Sequence, residues 1–269
     1  MLKKFATLLL FPIVFACNSD DSSNDNSVID EPVIENTVLI SKIVETDYYS
    51  ETGSNVNVIY FNYQNNRLVS TNGENLDYKE EFIYEGNKIV KTRILHLNRV
   101  LLESNLIYEG DKLKAIVKNG IAEERMEFAY NNNTLISRTK LHISNITNEV
   151  DERDQSNFTY TNGNISKINR ITQYMTNPTY YETDVAFDSK NNPMRDMNPY
   201  FKLISIYESF SPLNANNTIH QRSVYQGTSN IASELRYEIT YNENDFPVKI
   251  VRKSVETNEI ISEIEFEYR

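Results

Sequence analysis

A short motif recurs along most of the chain and limits what the chain can fold into. It consists of an apolar residue, any residue and an aromatic residue, followed by a polar turn and an aliphatic or aromatic residue. The copies are Phe61-Asn62-Tyr63 with Leu68, Phe82-Ile83-Tyr84 with Ile89, Ile107-Tyr108 with Leu113, Phe128-Ala129-Tyr130 with Leu135, Phe158-Thr159-Tyr160 with Ile165, Val185-Ala186-Phe187, Ile239-Thr240-Tyr241 with Phe246, and Phe266-Glu267-Tyr268. Copies recur about every 20 to 30 residues, a period that fits two strands and their turns.

Each copy has the alternation of a half-buried strand. In the last copy, Ile264 and Phe266 share one phase, and Glu263, Glu265 and Glu267 share the other. Alternation with a period of two places apolar side chains on one face of an antiparallel sheet and charged ones on the other. Gly and Asn stand between the strands, as tight hairpins require. We therefore expect the Tyr and Phe residues to form core rather than a surface for stacking ligands.

The repeat predicts a mainly β fold over residues 37–269, a single antiparallel β-meander of repeated hairpins. About fifteen strands follow from the spacing, more than an open twisted sheet usually carries without curling or splitting. We expect a large curved or rolled sheet, or two packed sheets, and the sequence does not decide between them.

One segment breaks the alternation. Apolar residues after Asn198-Pro199 stand three and four positions apart, which is helical spacing. Asn is a good N-cap, Pro suits the first helical turn, and Ser211-Pro212 would stop a helix. These features predict one short helix near 199–210, lying on the sheet or plugging one end of it.

The N-terminus has the form of an export signal. Residues 1–16 combine a short basic start with an apolar run too short to span a membrane. Cys17 is the only cysteine, and residues 17–36 contain six acidic residues and no basic one. Such a composition predicts a disordered acidic tether.

Val14-Phe15-Ala16-Cys17 resembles the lipobox of bacterial lipoproteins. The resemblance implies lipid attachment at Cys17 and anchoring in a membrane. Serine and acidic residues just after Cys17 resemble the surface-export signal of Bacteroidota lipoproteins, which implies the outer face of the outer membrane, with a periplasm-facing protein as the alternative.

The strand–turn repeat resembles the YD repeats of RHS-type proteins. The chain also resembles Bacteroidota lipoproteins of unknown function built from such hairpins, in which an Asp, an Asn-Pro and a short helical insert follow a strand. Here these are Asp188, Asn192-Pro193 and the predicted helix, with Asn216-Asn217 after it. The resemblance implies a fold and a location, but no reaction.

The net charge and the missing motifs argue against several classes of function. The net charge of −11 and the lack of a basic stripe argue against nucleic acid. The mean hydropathy of −0.53 and the expected lipid anchor argue against a membrane-spanning barrel. His96, His142 and His220 lack metal-ligand spacing, and no nucleotide, nucleophile or calcium motif is present. We therefore expect no cofactor, metal or catalytic residue.

The sequence favours a non-enzymatic binding or structural module of the cell envelope, with a glycan or peptide as the possible ligand. The alternative is an envelope hydrolase acting on polysaccharide. A hydrolase would need two carboxylates facing each other across a cleft. Neighbours such as Glu80-Glu81 and Glu123-Glu124 point to opposite faces of a strand, so we interpret them as solvated charges.

Overall fold

The computed structural model describes residues 37–49, 53–74, 77–118, 123–143, 150–174, 177–205 and 212–269. The described residues lie in one compact unit, Thr37–Arg269. The predicted signal peptide, Cys17 and the acidic tether lie outside them. No helix in the described part of the chain is long and apolar enough to cross a bilayer.

The described residues form sixteen strands and one helix. In chain order these are β1 (Ile40–Tyr49), β2 (Gly53–Gln64), β3 (Arg67–Gly73), β4 (Tyr78–Glu85), β5 (Lys88–His96), β6 (Arg99–Glu109), β7 (Lys112–Lys118), β8 (Glu123–Asn131), β9 (Thr134–Ile143), β10 (Val150–Thr161), β11 (Asn164–Tyr174), β12 (Asn177–Phe187), α1 (Pro199–Ile204), β13 (Thr218–Tyr225), β14 (Ile231–Tyr241), β15 (Pro247–Ser254) and β16 (Ile260–Tyr268).

The strands form a closed antiparallel barrel. Consecutive strands pair, as a meander of hairpins requires, and β1 also pairs with β16, with Ile43 opposite Phe266. The predicted open curved or rolled sheet is therefore wrong. Closure pairs the backbone groups that two free edges would leave exposed. The pairing joins segments more than two hundred residues apart, and no local pattern in the sequence encodes it.

The repeated motif forms one rim of the barrel. In most copies a β-bulge lies immediately before the tyrosine, as between Ile83 and Tyr84 and between Ala129 and Tyr130. Bulges at a rim bend the strand and increase its twist. Asn65 and Asn66 form one of the turns with φ of 50° and 60°, the left-handed conformation that a tight hairpin needs.

Tyrosines of the repeat join neighbouring hairpins through their hydroxyls. Each tyrosine donates to a backbone carbonyl near the start of another strand. The bonds are Tyr63 to Ile40 at 2.8 Å, Tyr84 to Leu68 at 2.8 Å, Tyr108 to Ile89 at 2.6 Å, Tyr130 to Leu113 at 3.0 Å and Tyr268 to Pro247 at 2.6 Å. We call these five residues the tyrosine ladder. Burial raises the pKa of Tyr84 to about 12, so the hydroxyl stays a donor at neutral pH.

The described residues 188–205 and 212–217, between β12 and β13, enter the barrel at the same rim, which we call the plugged rim. In this plug, Phe201 of α1 contacts the rings of Phe61 and Phe82 edge-on, with centroids 6.1 and 5.3 Å apart. Met194 and Met197 are buried in the same core. Because the contacted residues face inward from several strands, the plug occupies the lumen at this end, and a cavity of about 950 Å³ remains between it and wall residues such as Leu113 and Tyr130.

The predicted helix is present but shorter than expected. Asn198 caps α1, and its Oδ1 accepts from the backbone N–H groups of Tyr200 and Phe201. The N–H of Ser205 donates the last helical hydrogen bond, to the carbonyl of Phe201, and Ser205 is the C-cap residue, so α1 ends at Ile204. Residues 206–210, the second half of the predicted helix, lie outside the described residues.

A cluster of asparagines around Asp188 holds both ends of the plug together. Asn217 donates through Nδ2 to the carboxylate of Asp188 and to the carbonyl of Asn191, at 3.2 and 3.0 Å. Tyr241 donates its hydroxyl to the same carboxylate. Asn164 donates to Asn216, and the backbone N–H of Asn216 donates back. This asparagine clasp fixes where the plug leaves the barrel wall and where it returns.

Candidate ligand-binding cavity

The lumen changes from apolar to polar away from the plugged rim. Phe158, Ile165 and Ile168 stand near the plug on β10 and β11, and Ser156 and Arg170 follow on the same inward phase. A sixteen-strand barrel leaves space that side chains alone do not fill. In this barrel the space contains a cavity of about 480 Å³.

Two rows of inward side chains form the cavity wall. The first row crosses five adjacent strands through directly paired residues, namely Arg138, Ser156, Arg170, Tyr181 and Tyr225. The second row lies one step closer to the plug and contains Phe158, Ile168, Thr183, Ser223 and Ser233. Pro212, Leu213 and Asn214 of the plug form the floor. Both rows stand on strands, so the backbone ladder fixes their spacing.

Two guanidinium groups belong to the wall. Arg138 is 6% exposed, and its Nη2 lies 3.5 Å from Oγ of Ser156. Arg170 is held by Asp154, which accepts from Nε at 3.0 Å and from Nη2 at 2.7 Å. This two-bond contact fixes the plane of the Arg170 guanidinium.

Buried hydroxyls and two tyrosine rings complete the wall. The hydroxyls of Thr183 and Ser223 lie 2.8 Å apart, and both residues are buried. The rings of Tyr181 and Tyr225 lie 5.3 Å apart, tilted by 37°. Gln221 accepts from the hydroxyl of Tyr237 at 3.2 Å. Hydroxyl and amide groups can both donate and accept, so the wall can hydrogen-bond a polar ligand in several orientations.

Among the described residues that line the cavity, none is a carboxylate. Asp154, which holds Arg170, lies outside the lining. The cavity wall therefore combines positive and neutral hydrogen-bonding groups with apolar side chains such as Phe158 and Ile168. Its chemistry suits binding, and it offers no pair of carboxylates of the kind that glycoside hydrolysis uses.

The histidines and acidic pairs named in the sequence stand apart from one another. His96 stacks on Tyr78 with ring centroids 4.5 Å apart, and Nε2 of His220 lies 2.9 Å from Glu234. In the part of the chain that the structure describes, no three His, Cys, Asp or Glu residues are placed to hold a metal ion. Glu80 faces the lumen, whereas Glu81 is paired with Lys79 outside. Cys17, the predicted lipid site, lies outside the described residues.

The outward face of the barrel carries cross-strand ion pairs. Lys42 lies 2.9 Å from Glu267 where β1 and β16 close the barrel, and further pairs follow around the wall. These include Lys91–Glu103 at 2.6 Å, Lys167–Glu182 at 2.7 Å, Lys249–Glu263 at 2.8 Å and Lys253–Glu238 at 2.6 Å. Arg125 and Glu127, 2.7 Å apart, pair within β8. Side chains such as Glu267, 64% exposed, extend into solvent. The predicted outward phase of Glu263, Glu265 and Glu267 agrees with this arrangement.

The barrel is similar in fold to two solved structures. One is a porin-like protein from Bacteroides vulgatus, with a TM-score of 0.62 and 11% identity over 86% of this chain and 99% of that chain. The other is a porin-like protein from Bacteroides uniformis, with a TM-score of 0.54 and 13% identity over 86% of this chain and 96% of that chain. Identities this low establish a shared fold alone. No protein-family model and no curated protein sequence matches the chain.

The cavity residues were not predicted from the sequence. Arg138, Ser156 and Arg170 belong to no motif, and they come from three different strands. One signal was available for two of them: Ser156 and Arg170 stand two positions from the apolar residues Phe158 and Ile168 of their strands, whereas a bulge places Arg138 out of phase with Leu135. A polar residue at an inward-facing position of a strand indicates a part of the lumen that apolar side chains do not fill.

Proposed function

We propose that this protein is a lipid-anchored β-barrel of the outer membrane that stands in water and binds a small ligand in its lumen without catalysing a reaction. The charged outward face carries the proposal. The lumen cavity supports a binding role, and the lipobox resemblance at Cys17 supports the anchor.

A barrel that spans a membrane turns an apolar band about 25 Å tall toward lipid. Here the outward phase of many strands carries Lys, Arg and Glu in ion pairs such as Lys42–Glu267 and Lys91–Glu103. A single Lys or Arg facing lipid at the bilayer midplane costs about 2–4 kcal/mol. Several such residues around the wall favour water as the surroundings of this barrel.

The competing function is a pore. The likeness in fold to two porin-like proteins and the polar part of the lumen favour it. The plug opposes it, because Phe201, Met194 and Met197 are buried in the lumen at one end. A pore would require the plug to leave an apolar core.

Fractionation separates the two functions. The wild-type chain is compared with a Cys17→Ala variant in which a cleavable, non-lipoprotein export signal replaces residues 1–16, and a Ser19→Ala variant is the matched control. We expect the wild type and Ser19→Ala in the outer membrane, and the Cys17→Ala protein in the soluble periplasmic fraction. A spanning barrel would remain in the membrane without its lipid.

Conductance gives a second, independent test. The purified Cys17→Ala protein is added to planar lipid bilayers, where we expect no channel steps. Membrane retention of this variant together with stepwise conductance would refute the proposed function and favour the pore.

A further inference from the structure

We infer that the 480 Å³ cavity binds a small anionic sugar, a molecule that carries an oxyanion on a hydroxyl-rich frame. The inference rests on the proposed function, because it names the ligand class of the same lumen. It depends on three features of the wall: its cations, its hydroxyls and its size.

The cations select a negative group. Arg138 and Arg170 flank Ser156 in the first row, on neighbouring strands, so both guanidiniums face the same space. Arginine offers planar N–H groups that match a carboxylate or a sulfate in two-bond contacts. No acidic residue belongs to the described lining, and Asp154, the next inward residue of β10 after Ser156, is bonded to Arg170.

The hydroxyls select a polyol. The hydroxyls of Thr183 and Ser223 are buried and hydrogen-bonded to each other, and Ser156 is 4% exposed. Gln221 and Ser233 add further polar groups on adjacent strands. Such a row offers both donors and acceptors to the hydroxyls of a sugar. A simple inorganic anion would leave most of these groups without a bonded ligand.

The size and the route of entry fit a small molecule. Ordinary ligand pockets measure about 300–1,000 Å³, and this cavity lies in the lower half of that range. Tyr225, which ends β13 on the side opposite the plugged rim, belongs to the lining and is 42% exposed. The cavity therefore extends toward the rim opposite the plugged rim, and the tyrosine rings stand where the apolar face of a sugar ring would pass.

Binding is measured by isothermal titration calorimetry on the Cys17→Ala protein. The probes are glucuronate, which carries a carboxylate, and N-acetylglucosamine 6-sulfate, which carries a sulfate. Glucose and glucosamine serve as neutral and cationic controls. We expect at least one anionic sugar to bind about tenfold or more tightly than glucose, since hydrogen bonds to charged groups are the stronger class. The better of the two anions identifies the oxyanion.

Variants then locate the site. Arg170→Gln should weaken binding of the anionic sugar about tenfold or more, and Thr183→Val should weaken it without removing the preference for an anion. Arg222→Gln is the matched control, because Arg222 lies on β13 between Gln221 and Ser223 but faces outward, near Glu234. We expect no change in its affinity. Circular dichroism melting of each variant confirms that the barrel is folded.

Failure of this inference is distinct from failure of the proposed function. Equal binding of glucose and both anions, no binding of either anion, or an equal loss in Arg170→Gln and Arg222→Gln would overturn the inference. None of these results alters fractionation or conductance, which test whether the barrel is surrounded by water or spans the membrane.

Discussion

The plug should be a structural part of the barrel, and Phe201→Ala tests this directly. Phe201 is 5% exposed, and its ring meets Phe61 and Phe82 edge-on at 6.1 and 5.3 Å. Removing a buried phenylalanine side chain costs about 3–5 kcal/mol through lost burial and the cavity left behind. Each aromatic pair accounts for about 0.5–1.5 kcal/mol beyond burial. We therefore expect a loss of about 3–5 kcal/mol in the free energy of unfolding.

Urea denaturation and thermal melting, followed by circular dichroism, measure this loss. For a domain of about 150–250 residues, each kcal/mol shifts Tm by about 2–4 °C, so Phe201→Ala should lower Tm by about 6–20 °C. Tyr48→Ala is the control, because Tyr48 is 41% exposed on β1 and should change stability by about 0.5 kcal/mol or less. If Phe201→Ala costs no more than this control, the plug does not pack in the lumen and our account of the closed end is wrong.

Three further predictions concern the tyrosine ladder, the lumen and the clasp. Tyr84→Phe removes the bond to the Leu68 carbonyl and should cost about 1 kcal/mol in urea denaturation, whereas Tyr180→Phe, on an exposed tyrosine, should cost almost nothing. Burial raises the pKa of Glu80, so the folded state holds the proton more tightly and wild-type stability falls as pH rises from about 4.5 through the folded pKa. Glu80→Gln should therefore gain more stability relative to wild type at pH 8 than at pH 4, and an equal effect at both values would contradict this. Asp188→Ala removes charge-assisted bonds of the asparagine clasp and should lower the free energy of unfolding by about 3 kcal/mol, measured in the same way.

Much of the wall could be predicted because its signals are local. The alternation in each copy of the repeat, the Asn- and Gly-containing turns and the pairing of consecutive strands all involve residues close in the chain. The core role assigned to the repeat agrees with the burial of Phe61, Phe82, Phe128 and Phe266. The hydroxyl bonds of the tyrosine ladder were not expected, because a sequence does not show which carbonyl faces a tyrosine in the next hairpin.

The start of α1 could be predicted from local sequence, whereas its end could not. Asn198 and Pro199 set its start through capping and a fixed φ, and the sequence identified both. Its end could not be read in the same way. Ser205 ends α1, although Tyr207 and Phe210 continue the apolar spacing. Apolar spacing indicates which face of a helix would be buried, but it does not by itself mark where the helix ends.

Closure and the cavity could not be predicted because they depend on which strands meet across the molecule. The pairing of β1 with β16 puts Ile43 beside Phe266, and no pattern within either strand identifies the strand it will pair with. The cavity likewise assembles Arg138, Arg170 and Ser223 from β9, β11 and β13. Each polar residue alone is an ordinary exception to alternation, and only the closed barrel turns these exceptions toward one space.

Closure also changes what the alternation means for function. In a curved sheet that is not closed, the concave face could meet a glycan or peptide from solvent, the two ligands that the sequence suggested. In the closed barrel that face points inward, and the plug covers its apolar part through contacts such as Phe201 with Phe82. The part left uncovered is the row from Arg138 to Tyr225, which is polar. Its groups are paired within the wall, as Arg170 is with Asp154, and the space beside them is large enough to admit a small polar ligand.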